Sequence, residues 1–235
     1  PPPPPPTTAT SAAAPYDDLA RPRPRVLGVT NQHNRAPGDL VALASYMAIA
    51  ALTAWGLSPL LWLIPGIPIF FIMGVLIEKF LLHRAVRMSA DAALIIAFGL
   101  ALIIQNAVQI IWSPQTRGLF TSFSLKSIQL GDLYIPLVYV LDFVAALVVM
   151  GVVHQFMKRT YLGQAITAAS QDRVAAQLMG IDPSRVYQIA FGIAMALAAV
   201  AGVFLGLTFP FHPTSGTSFL IIAFGVIILG GLGSM

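Results

Sequence analysis

The chain contains no cysteine. Disulfides, thiolate metal sites and cysteine nucleophiles are therefore excluded from the outset. Charge is scarce as well: Asp, Glu, Lys and Arg make up 9% of the residues, against about 25% in soluble domains. No G-x-x-x-x-G-K-[ST] run occurs, so these residues offer no phosphate-cradling loop of that kind. His33, His83, His154 and His212 are scattered without the spacing that metal ligation requires. The formal net charge is +4, but no single basic face gathers it, which argues against nucleic acid as a partner.

Apolar sequence fills the space that charge leaves. Hydrophobic residues are 57% of the chain, and the mean hydropathy is +0.81. One soluble core of this size cannot hide that much apolar surface, whereas a bilayer accepts it. The runs are long and unbroken, unlike the short alternating segments of a barrel. The fold class expected is all-α: a polytopic helical membrane protein with about six transmembrane helices. The spans are placed near Gly38–Leu57, Pro59–Leu82, Ala92–Trp112, Pro136–Phe156 and Pro183–Phe209, and from about Ser218 onward. Asp39 is expected to cap the first and Asp91 to lie in the cap region of the third. Pro59, Pro65 and Pro68 predict a broken or tilted start to the second. Ser113–Ile135 reads as a polar loop, and Asp182 with Pro183 opens the fifth span.

Residues 1–37 are rich in Pro, Ala, Thr and Arg, and are expected to be disordered because they cannot bury enough apolar area to order themselves. Residues 38–235 form the membrane domain. The proline tract at one end and an apolar segment at the other lead us to expect a chain truncated at both ends. Eleven of the thirteen Lys and Arg fall on one side of the predicted spans, leaving Arg117 and Lys126 on the other. The positive-inside rule then puts the N-terminus and the loop 158–185 in the cytoplasm.

That loop is a polar, basic, helix-prone island between two apolar segments. Leu162–Ala169 is expected to form one short helix. Ser170 is expected to cap a second, Gln171–Met179, with Asp172 near its positive end and Gly180 ending it in a left-handed conformation. Val174, Ala175, Leu178 and Met179 share a face. From the physics alone, docking to a partner and resting along the membrane interface remain equal alternatives.

The run Arg159-Thr160-Tyr161-Leu162-Gly163-Gln164-Ala165, with Gln171-Asp172, Ala175-Ala176, Leu178 and Gly180-Ile181, resembles the coupling loop of the permease subunits of bacterial branched-chain amino-acid ABC transporters. Ile77-Glu78-Lys79 with Leu81-Leu82 and Arg84, Phe98-Gly99-Leu100 with Ile104-Gln105-Asn106, and Gly230-Gly231-Leu232-Gly233-Ser234 are similar to further elements of that family. Val174 stands where the family often has Glu. The resemblance implies an inner-membrane, non-catalytic permease subunit of an ATP-driven importer for branched-chain or related amino acids. It also implies a second permease subunit, two cytoplasmic ATPase subunits carrying the ATP and Mg, and a periplasmic or lipid-anchored substrate-binding protein. No cofactor is expected in this chain. The coupling residues it implies are Gly163, Ala165, Gln171, Asp172, Ala175, Ala176, Leu178 and Gly180. The competing reading is a secondary transporter or channel for a small polar solute that needs no ATPase.

Polar groups inside spans are costly and become functional candidates. Gln105 and Gln109 lie four apart on one helix face, with Asn106 beside them. They either line the substrate path or hydrogen-bond between helices. Gly230, Gly231 and Gly233 either break a helix along that path or pack helices closely. Asp142, more than a turn into its span, is read as lying in the outer interface, with pairing across helices and lining of the path as alternatives. Ser215 near His212 raises a third class, an intramembrane hydrolase, but no nucleophile elbow accompanies them.

Overall fold

The computed structural model describes residues 36–88, 90–119, 127–130 and 133–230. Residues 1–35 of the expected disordered segment, together with Gly231 and Gly233, lie outside them; its last two residues, Ala36 and Pro37, are not disordered but open the first helix. The regular structure of the described residues is helical apart from one short antiparallel hairpin and a bridge between Arg117 and Phe211.

Helix α1 (Ala36–Trp55) ends at Gly56, whose positive φ releases the chain. Ser58 caps α2 (Pro59–Ile77), its hydroxyl accepting from Leu61 N. Pro59 occupies the first turn, where its missing N–H costs nothing. Of the broken or tilted start expected from Pro59, Pro65 and Pro68, the break does not occur: α2 runs through Pro65 and Pro68. Trp62 and Phe70 are buried on either side of them and meet edge to face at 6.2 Å, and Gly66 leaves room for the Trp62 indole. The irregularity lies at the other end, where a π-helical turn, Glu78–Leu82, leads into α3 (His83–Met88).

Helix α4 (Ala90–Trp112) follows. Strands β1 (Ser127–Leu130) and β2 (Leu133–Pro136) then pair with Ser127 opposite Pro136, in the stretch expected to be loop and reaching Pro136, the expected first residue of the fourth span. Helix α5 (Leu137–Arg159) leads into the short helices α6 (Tyr161–Gln171) and α7 (Arg173–Leu178). Helix α8 (Pro183–Thr208) and α9 (Gly216–Gly230) complete the described chain. Five helical segments are long and apolar enough to cross a membrane, and α9 is a shorter apolar helix.

Small residues build the core. Gly202 and Gly206 form a G-x-x-x-G face on α8, as membrane helices use for close approach. A Cβ at Gly202 would collide with Val41 O and Ala44 of α1, and Ser45 Oγ donates to Gly202 O at 2.5 Å. Gly74 and Gly192 let α2 and α8 meet in the same way, with Met195 and Val75 filling the contact. Tyr46, Leu119, Val203 and Phe211 complete this buried centre, Tyr46 standing edge-on to Phe211 at 5.0 Å. Many large side chains elsewhere are exposed, among them Ile64, Ile72, Ile103, Phe143 and Ile222. In a bilayer, lipid covers them.

Candidate functional site: the α6–α7 loop and the polar groups of the spans

The loop grows out of α5 through one residue. Thr160 both ends α5 and caps α6: its hydroxyl donates to Phe156 O at 2.7 Å and accepts from Gly163 N at 3.1 Å. Gly163 lies against the end of α5, and a Cβ there would stand 2.5 Å from Phe156 O and from Met157 Cα. The obstacle is backbone, which cannot swing aside.

Asp172 caps α7, accepting from Val174 N at 2.8 Å and Ala175 N at 3.0 Å. This corrects the expected cap at Ser170, which stays inside α6 and donates to Thr167 O. The physical reason is reach: the Asp172 carboxylate satisfies two free N–H groups at once. Gly180, with φ of 80°, turns the chain, and Ile181 N then bonds Ala176 O at 3.0 Å, closing the helix end as expected. Asp182 caps α8 through Ser184 N and pairs with exposed Arg185 at 3.3 Å.

Beneath the loop lies a small separate core of Ala165, Ala169, Ala176 and Val186, with Ile166 and Ile181 against it. Tyr187 Oη donates to Ala169 O, tying α8 to α6, while Arg173 lies over the Tyr187 ring. The predicted coupling residues therefore divide. Gly163, Ala165 and Ala176 are buried framework. Gln171, Asp172, Ala175, Leu178 and Gly180 are exposed. Val174, Leu178 and Met179 are 65%, 84% and 83% exposed, an apolar ridge standing out from the helix pair.

The predicted path residues that are described, Gln105, Asn106, Gln109 and Gly230, have separate surroundings. Gln105 turns inward: its Nε2 donates to Asp39 Oδ1 at 2.8 Å, and Asp39 is 2% exposed. Asp39 lies in the first turn of α1 rather than at its cap, beside the Gly216 backbone that opens α9. Asn106 donates to Leu102 O of its own helix. Gln109 is half-buried on α4, and Gly230 is the exposed last residue of α9. Ser215 Oγ accepts from His212 N, so this serine closes a turn before α9 instead of facing a base.

A large open space lies elsewhere among the described residues. A cleft of about 1600 Å³ runs between α5, α6 and α8, from Asp142 past Ala146, Met150 and Leu197 to Lys158 and Gln171. Asp142 accepts from Thr208, the last residue of α8, which is the pairing across helices that the sequence left as an alternative. Thr208 carries no sequence signal of its own, because one hydroxyl at a helix end is unremarkable until its partner is known. Among the described residues, no group of three His, Asp or Glu side chains converges as a metal site would.

A profile of the family described as "Branched-chain amino acid transport system / permease component" matches residues 26–235. The chain belongs to this permease family. The permease is 30% identical over 224 residues to the high-affinity branched-chain amino acid transport system permease protein BraD of Pseudomonas aeruginosa, covering 89% of this chain and 73% of that one. It is 31% identical over 225 residues to LivH, a protein of the same description from Salmonella typhimurium, covering 89% and 72%. A probable branched-chain amino acid transport permease protein of Methanocaldococcus jannaschii is 28% identical over 218 residues, covering 86% and 66%. No solved structure matches the permease.

Proposed function

We propose that this permease is the membrane-spanning subunit of an ATP-driven importer of branched-chain or related amino acids, working in a bacterial inner membrane with its N-terminal side in the cytoplasm. The observation that carries this reading is the exposed ridge of Val174, Leu178 and Met179 on a framework joined to two long spans. An apolar ridge fixed to α5 by Thr160 and to α8 by Tyr187 transmits a push instead of absorbing it. Two cytoplasmic ATPase subunits would grip it, a second permease subunit would complete the path, and an external binding protein would deliver substrate. ATP and Mg belong to the ATPases in this reading. Closure of the ATPases would move α6 and α7 together with the inner ends of α5 and α8, and so alternate access to the path.

Single cysteines test it, because the chain has none of its own. With Ala175→Cys or Gln171→Cys in an assembled complex whose other cysteines have been removed, the cysteine should crosslink to an ATPase subunit. An assembled complex that hydrolyses ATP without any such crosslink contradicts the coupling role.

A further inference from the structure

We propose that the cleft between α5, α6 and α8 is a binding site for one anionic phospholipid, its phosphate at Lys158 and its acyl chains along Ala146, Met150 and Leu197. Three observations carry the inference. The first is charge. Lys158 lines the mouth of the cleft with its side chain exposed. Among the described residues no carboxylate lies within ion-pair distance of it; the ion pair present is Arg185–Asp182. His154, one turn earlier on the same face of α5, also lines the cleft, where a ring N–H could donate to a lipid ester carbonyl beyond the phosphate.

The second is shape. The cleft volume of about 1600 Å³ exceeds the roughly 300–1,000 Å³ of small-molecule pockets. An amino acid would leave most of it empty. The walls beyond His154 are aliphatic apart from Phe204 and, at the far end, Asp142. Chain-like apolar matter fits such walls, and a polar solute does not.

The third is depth. Tyr161, 72% exposed, and Arg159 flank Lys158 at the junction of α5 and α6. Tyrosine with basic residues marks the headgroup level of a bilayer, so the unpaired cation sits where lipid phosphates are found. A helix of another protein would have to bring an acid in register with Lys158, whereas an anionic lipid carries one there by construction. Bound lipid would fill the gap between α5 and α8 and steady the span that leads into the coupling loop.

The test is native mass spectrometry of the purified full chain titrated with phosphatidylglycerol and with phosphatidylethanolamine. Phosphatidylglycerol should be retained preferentially, and Lys158→Glu should reduce its retention by more than about fivefold, the scale of losing one basic side chain at a lipid surface, because it also adds a negative charge. Arg84→Glu, exposed on α3 away from the cleft, should leave it unchanged. Should Lys158→Glu not fold, a phosphatidylglycerol with a photoreactive acyl chain added to the wild-type protein should label the segments 146–153 and 197–204. Equal retention of the two lipids, equal loss in Arg84→Glu, or labelling only outside the cleft overturns the proposal. So does a crosslink from Ala201→Cys to a second protein chain in lipid-replete membranes, which would assign the cleft to a helix instead.

Discussion

At Gly163 one hydrogen atom decides whether α6 can fold back against α5. Its neighbours are Phe156 O and the Met157 backbone, so Gly163→Val must push the two helices apart. Overpacking of this kind costs about 1–3 kcal/mol, and a lowered midpoint of thermal unfolding in detergent, with weaker ATPase coupling, is the expected outcome. Gln105 presents the opposite case, a polar group whose role is to be paired. Gln105→Leu removes one donor to a carboxylate that is 2% exposed; the loss of one hydrogen bond to a charged group costs about 1.5–3 kcal/mol. Lower thermal stability with unchanged substrate selectivity is expected, and altered selectivity at normal stability would instead return Gln105 to the path. The sequence showed that Gln105 is polar and intramembrane but not which way it faces, since Asp39 lies 66 positions away and only the folded chain brings them together.

At the scale of elements, α7 is the fragile piece. It has six residues and depends on Asp172 at one end and Gly180 at the other. Asp172→Ala removes both cap bonds at a cost of about 1 kcal/mol, while Asp172→Asn keeps an acceptor and should be mild. ATP hydrolysis stimulated by substrate should fall for the alanine variant and largely survive in the asparagine one. Much at this scale was legible beforehand. The five long helices follow directly from apolar runs that only a bilayer can cover, and the Asp182–Pro183 opening and the Gly180 ending follow from local backbone chemistry. What escaped was set by tertiary packing. Pro65 and Pro68 signal a break that Trp62, Gly66 and Phe70 pack through. The β1–β2 pairing is short and lies beside the start of α5. Ser170 and Asp172 are both good caps, and only the register of α6 chooses between them.

At the scale of the whole molecule, the two ends of the spans differ in kind. On one side Arg117 exchanges backbone hydrogen bonds with Phe211, and its side chain donates to Trp112 O. On the other Arg84, Lys158, Arg159 and Arg173 remain exposed, with Arg185 held by Asp182. This asymmetry is what the positive-inside rule uses, and the importer reading requires the Val174–Leu178–Met179 ridge to stand on the ATP-bearing side. The most direct measurement is therefore accessibility of a single cysteine at Leu178→Cys, in a chain that otherwise has none, to a membrane-impermeant maleimide. The label should fail to react in intact cells and react readily in inverted membrane vesicles. Reaction in intact cells would put the ridge outside and end its assignment as the place where ATPase force enters.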